Sequence, residues 1–263
     1  MRITYARELL RKRWVLPVAL CLMLVLLCFM NARTGAYAVY YNTSARKLPI
    51  YSVERDDKKI AISFDCAWGA EKTQGLLDVM REYNVKCTFF MTAFWVEKYP
   101  ETVKAIFDEG HDIGTHSVTH SYMSKMSVSE IESELKESSA LIEKITGEKV
   151  TLFRPPYGDY NDRLIETCEK GGFYAIQWDV DSLDWKDVTS SDIAKRIISK
   201  TGRGSIILCH NNAEHTLEAL PLVFTDLIGR GYEFVPISEL IYLDNYTVDH
   251  LGRQRRARVD SAA

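Results

Sequence analysis

The sequence predicts an α/β domain whose core is a parallel sheet of about seven strands. Two observations carry this. Short apolar runs alternate with amphipathic stretches from about residue 58 to 240, and polar clusters recur where an apolar run ends. In parallel barrels and open parallel sheets the loops beyond the strand C-termini converge, and active sites gather there. The polar clusters at Asp65, His116, Arg154, Asp179 and His210 can therefore meet in one pocket although about 150 residues separate the first from the last.

Taken in order, Ile60 to Phe64 is an apolar run of strand length, and Glu71–Tyr83 reads as the amphipathic helix that follows it. Cys87 to Thr92 is the next strand, Pro100–Glu109 the next helix, and His111 to Thr115 a third strand. The helix Val128–Thr146 opens on the capping box Ser127-Val128-Ser129-Glu130 and stops at Gly147, which suits a C-cap. Its stripe of Val128, Ile131, Leu135, Leu141, Ile142 and Ile145 is core packing. Strands at Val150 to Phe153, Tyr174 to Trp178, Ser205 to Cys209 and Glu233 to Ile237 complete the alternation, with helices at Asp162–Lys170, Ser191–Thr201 and Leu217–Gly229.

The 263 residues are 46% hydrophobic and 26% charged, ordinary values for a globular chain. Residues 1–13 form a basic segment, and an uncharged apolar run extends from Trp14 to Met30. About 17 apolar residues suffice to span a bilayer, so 14–30 is expected to be a transmembrane anchor with a cytoplasmic N-terminus. A cleaved signal peptide with Ala36-Tyr37-Ala38 as its cleavage site is the rival; either way the remainder leaves the cytoplasm. Residues 31–57 read as a stalk, 58–240 as the domain and 241–263 as a solvated C-terminal tail.

The formal net charge of −3 conceals basic ends around a body that carries −10 over residues 14–252. Such a body argues against nucleic acid, whose binding rests on neutralising phosphates. Cys66, Cys87, Cys168 and Cys209 show no C-x-x-C spacing and are expected to be free, buried thiols.

His116 and His120 are four residues apart, so a helical or tightly turned segment lets both imidazoles face one metal ion. Around them stand Ser63-Phe64-Asp65-Cys66-Ala67-Trp68-Gly69, Arg154-Pro155-Pro156-Tyr157, Asp181-Ser182-Leu183-Asp184-Trp185 and Leu208-Cys209-His210. In this order the five motifs resemble those of the polysaccharide deacetylases of the NodB-homology type, carbohydrate esterase family four, over residues 58–240. The resemblance implies a distorted (β/α) barrel of about seven parallel strands. It also implies hydrolytic removal of acetyl groups from N-acetylated cell-wall sugars, with a divalent metal, zinc first and cobalt or nickel as alternatives.

Carried over position by position, the resemblance makes Asp65 the general base, Arg154 its partner and His210 the general acid. Asp184 is the first choice and Asp181 the second for the carboxylate that keeps His210 protonated. His116 and His120 become metal ligands, and Tyr157, Pro156, Trp185 and Trp68 sugar contacts. One departure matters. Cys66 stands where the family has a metal-binding Asp; its thiolate would suit zinc, and its thiol would equally suit a packed core. The F-D-x-x-W-G form resembles a subgroup found among Gram-positive spore formers. The rival readings are a glycan-binding protein that has lost catalysis and a hydrolase of non-sugar amides.

Overall fold

The computed structural model describes residues 21–26 and 46–257. The chain divides into one unit that ends at Arg46 and a second over Lys47–Ala263. In the first, residues 21–26 are helical and exposed, and the rest of the expected span 14–30 lies outside the described residues. Among the described residues no helix is long and apolar enough to cross a membrane.

The second unit is the α/β domain. Its strands are β1 (Ser52–Val53), β2 (Lys59–Cys66), β3 (Thr88–Met91), β4 (Asp112–Thr115), β5 (Leu152–Phe153), β6 (Tyr174–Ala175), β7 (Val180–Asp181), β8 (Ile206–His210), β9 (Glu233–Phe234), β10 (Tyr246–Val248) and β11 (Arg253–Arg256). The helices are α1 (Thr73–Glu82), α2 (Ala93–Lys98), α3 (Pro100–Asp108), α4 (Val128–Thr146), α5 (Asp162–Gly171), α6 (Ser190–Lys200), α7 (Thr216–Gly229) and α8 (Ile237–Leu240).

Seven strands run in the order β6-β5-β4-β3-β2-β8-β7, all parallel, and β9 pairs with the start of β2. The expected distorted barrel is therefore an incomplete one. Ile50 bridges to Ile176 and Ser52 to Ser205 near the two ends of this path. Central β2 is buried along almost its whole length, as a strand covered on both faces must be. Helix α4 carries the capping box of Ser127 and Glu130 and ends on Gly147 at φ 75°, where the left-handed region favours glycine.

Two expectations need correction. The stretch after Arg46, expected to belong to a stalk, packs into the domain: Ile50 and Val53 are buried and β1 pairs with β11. The basic segment 253–256, expected to be a solvated tail, is a strand between β1 and β10. Its inward residue is Gln254, fully buried and doubly hydrogen-bonded to the backbone of Tyr242, so its ordering needs no apolar side chain. Strand β7 and helix α2 were not foreseen, being too short to show a period. The four cysteines at 66, 87, 168 and 209 are free and buried, as expected.

Candidate active site

The C-terminal ends of β2, β4, β5, β7 and β8 open onto a cavity of about 680 Å³. Asp65, Trp68, His116, His120, Tyr157, Asp181, Trp185 and His210 line it, together with Ala67, Trp178, Leu208, Asn211, Asn212 and Ala213. Five sequence motifs thus converge, because each follows a strand of one parallel sheet.

Asp65 is 7% exposed and accepts from Nη1 of Arg154 at 2.7 Å. Burial pushes its carboxyl pKa up, but the Arg154 charge foremost, with that of His210, outweighs burial and holds it below the usual carboxylate range. Arg154 is fully buried; its Nη2 also donates to the Gln177 carbonyl, and its guanidinium lies over the Phe90 ring.

His210 is tuned the opposite way. Its Nδ1 donates to Oδ1 of Asp184 at 2.7 Å, and its backbone N–H donates to Oδ2 at 2.8 Å. Burial lowers the imidazole pKa, yet Asp184, Asp65 and Asp181 together raise it. Of the two carboxylates considered, Asp184 is the partner. Asp181 lines the cavity with its Oδ1 tied to the Leu183 N–H. Thr216 donates to Asp184 Oδ2 and so holds the carboxylate in place.

The His116–His120 segment is a turn and not a helix. Ser117 and His120 have φ of 75° and 54°, in the left-handed region. Such backbone persists only where neighbours over-determine it. Here Glu134 of α4 accepts from the N–H groups of Val118 and Thr119 and from the Thr119 hydroxyl, and Ser117 accepts from the His120 N–H. His116 donates from Nδ1 to the Arg154 carbonyl at 2.7 Å, which leaves Nε2, 3.5 Å from Oδ2 of Asp65, as the nitrogen with a lone pair. His120 has a buried Nδ1 without a hydrogen-bond partner among the described residues. Burial, reinforced by His116, lowers the pKa of His120 to about 4, so it is neutral at neutral pH.

Two imidazoles with available nitrogens beside a carboxylate fit a divalent cation as a partial ligand set. Cys66 does not complete it. Successive side chains of a strand point to opposite faces, so with Asp65 in the cavity Cys66 is fully buried in the apolar core, its Sγ near the Phe64 carbonyl. Burial drives its thiol pKa well up, which disfavours the thiolate a metal needs. Among the described residues no three His, Cys, Asp or Glu side chains are grouped to hold a metal ion.

Of the expected sugar contacts, Tyr157, Trp185 and Trp68 are more than half exposed and line the cavity. Pro156 is buried and outside the lining. Tyr157 has φ 60° in the short turn after Pro155, which turns its ring out over the cavity. Glu134, Thr216 and Tyr122 were missed, since they lie outside the motifs and meet the site only through the fold; Asn211 and Trp178, near motif residues in the chain, had no role assigned.

A family model for polysaccharide deacetylases matches residues 52–176. A peptidoglycan-N-acetylglucosamine deacetylase of Bacillus cereus is 34% identical over 196 residues, covering 73% of this chain and 92% of that protein. This chain belongs to the polysaccharide deacetylase family. Other polysaccharide deacetylases extend further. The peptidoglycan-N-acetylglucosamine deacetylase PgdA of Listeria monocytogenes is 34% identical over 200 residues, and the match spans 76% of this chain but 42% of PgdA. Among solved structures, BA3943 of Bacillus anthracis, described as a pseudoenzyme of carbohydrate esterase family four, superposes with a TM-score of 0.71 at 30% identity. That match covers 80% of this chain and 73% of BA3943. A BA3943 mutant with restored enzymatic activity superposes equally well, at 32% identity.

Proposed function

We propose that this polysaccharide deacetylase hydrolyses the acetamido group of N-acetylated cell-wall sugars in a metal-dependent reaction, with Asp65 as base and His210 as acid. The observation that carries this reading is the opposite tuning of two groups that face one cavity: Arg154 donates to Asp65 and lowers its carboxyl pKa, while Asp184 accepts from His210 and raises its imidazole pKa. Names of relatives support the sugar class, since they include deacetylases of peptidoglycan N-acetylglucosamine and of N-acetylmuramic acid.

Asp65 takes a proton from the attacking water while Arg154 fixes its orientation and charge. His210 delivers a proton to the departing amine, and Asp184 stabilises the imidazolium until that moment. Tyr157 contributes its backbone N–H to the oxyanion, and Trp185 and Trp68 form apolar walls for a sugar ring. His116 and His120 would hold the divalent ion, zinc first, which supplies Lewis acidity to the carbonyl oxygen and the attacking water.

The residues Phe64-Asp65-Cys66-Ala67-Trp68-Gly69 support placement in the F-D-x-x-W-G subgroup. The apolar run 14–30 supports export, with the domain outside the cytoplasmic membrane.

A second reading, a glycan-binding protein without turnover, is favoured by the burial of Cys66 and the two-histidine ligand set. Acetate release from peptidoglycan and chitooligosaccharides separates the two. It is measured as purified, after chelation and after Zn²⁺ or Co²⁺ is restored, with His116→Ala as control. Release lost on chelation and in His116→Ala supports the metal deacetylase; glycan binding with no release under any metal supports the second reading.

A further inference from the structure

The loop between β2 and α1 carries Trp68, and the residue after His210 grips that loop at both ends. The Asn211 backbone N–H donates to the Asp65 carbonyl at 3.3 Å, and its side-chain Nδ2 donates to the Gly69 carbonyl at 2.9 Å. The same Nδ2 donates its second hydrogen to the hydroxyl of Thr73, the first residue of α1, at 3.2 Å. A carbonyl only accepts, so the Gly69 contact fixes which end of the amide is nitrogen. Asn211 is 2% exposed, and its buried amide spends both N–H groups on this loop and the helix that follows.

Trp68 needs such a hold. Its ring is 66% exposed, with Phe94 at 6.4 Å and His120 at 4.8 Å as ring neighbours. Exposed side chains change rotamer freely, so the place of this ring depends on the backbone that bears it. Upstream, the Cys66 carbonyl accepts from the Thr92 N–H at 3.0 Å. Downstream, Gly69 at φ 70° accepts from the Trp95 indole as well as from Asn211. These bonds bracket Ala67 and Trp68, and those of Asn211 tie the bracket to β8, the strand that ends in His210.

We propose that Asn211 is a positioning residue: by tying the Gly69 carbonyl to the strand that ends in His210, it holds Trp68, a wall of the sugar site, at a fixed place relative to that histidine. The gain for a glycan is preorganisation, since a wall ordered before binding loses less freedom when the sugar arrives. The proposal rests on Trp68 as a sugar contact, and the test separates it from the deacetylase reading.

Affinity for a soluble chitooligosaccharide is titrated with the full chain, unaltered and as Asn211→Ala, Trp68→Ala, the double variant and Thr73→Val. Values of kcat and KM for acetate release, and Tm, are recorded beside it. Asn211→Ala is expected to weaken glycan binding and raise KM about fivefold, within the range for residues that share a network. Its backbone N–H to Asp65 survives, so kcat is expected to be unchanged. In the Trp68→Ala background the same change is expected to cost nothing further. Thr73→Val strands one N–H of Asn211 but keeps the Gly69 bond, so it is expected to lower Tm and leave affinity unchanged. Affinity lost equally in the Trp68→Ala background, or equally in Thr73→Val, would overturn the positioning role. Undiminished binding by Asn211→Ala or by Trp68→Ala would do the same. Should Asn211→Ala not fold, Asn211→Ser, which keeps a polar group beside Thr73, carries the same comparison. The expected pattern of binding with no acetate release from any form would overturn the deacetylase reading and leave the positioning role standing. No glycan binding by the unaltered chain would overturn both.

Discussion

Arg154 donates to Asp65 at 2.7 Å from a fully buried position, with its guanidinium 4.1 Å from the centroid of the Phe90 ring and 5.6 Å from that of Trp178. The pair sets the charge of Asp65, the proposed base. Burial alone would keep the Asp65 carboxyl protonated to higher pH, and the guanidinium charge reverses that balance.

Arg154→Lys keeps a cation but loses the planar fork that reaches both Asp65 and the Gln177 carbonyl. Acetate release is expected to fall about 10²-fold, and the acidic limb of the rate profile to move to higher pH as Asp65 loses the close hydrogen bond from Arg154 Nη1. An unmoved acidic limb would show that a cation at this position suffices to set the Asp65 charge without the guanidinium geometry.

With His210 as the proposed acid, the alkaline limb is expected to report its titration. Its pKa lies above the ordinary 6.5 because Asp184 and its acidic neighbours outweigh burial, and the acid is lost as pH rises through that raised value. Asp184→Asn removes a raising influence, so the limb is expected to shift to lower pH, with a fall of about 10²- to 10⁴-fold at neutral pH. Asp181→Asn leaves the hydrogen bond between Asp184 and His210 in place and is expected to shift the limb in the same direction by less. Profiles of kcat/KM for the two variants check the ordering.

Cys66 points away from the cavity, and its thiol lies in the core. Cys66→Ala is expected to leave bound metal per chain unchanged and to lower stability by about 1 kcal/mol through the small void left behind. Metal content after dialysis, with Tm beside it, checks this. A fall in metal content would return Cys66 to the ligand set.

What the sequence disclosed about the site follows chain locality. Asp65, His116, His120, Arg154, Asp184 and His210 each belong to a short motif at a strand end, and parallel topology alone brings strand ends together. Glu134, Thr216 and Tyr122 were illegible because nothing near them in the chain marks their partners. Glu134 looks like any charged residue of an amphipathic helix until the fold brings it to the Val118 and Thr119 N–H groups. Cys66 was ambiguous for a related reason: a residue at the end of a strand can face either way, and side-chain direction is fixed only by register. The fold itself was more legible, since β2 and α4 are long enough to show their patterns, whereas β7 and β11 have too few residues or too polar an inward face.

Gly69 closes the F-D-x-x-W-G segment, and its carbonyl accepts from the Trp95 indole at 2.7 Å and from the Asn211 side chain at 2.9 Å. Its φ is 70°, and a Cβ there would lie 2.2 Å from Nδ2 of Asn212 and 2.5 Å from Oε2 of Glu71. Gly69→Ala must therefore strain the backbone and displace Asn212, a residue of the cavity wall. The backbone cost is about 1–2 kcal/mol, or about 2–8 °C in Tm for a domain of this size. Gly147 separates strain from displacement. It has φ 75°, nothing within 4 Å of its missing Cβ, and a place at the end of α4. Gly147→Ala is expected to lower Tm by a similar amount and leave kcat and KM unchanged, while Gly69→Ala also raises KM for the glycan. Equal kinetics in both would mean that the Asn212 wall yields without consequence for the sugar.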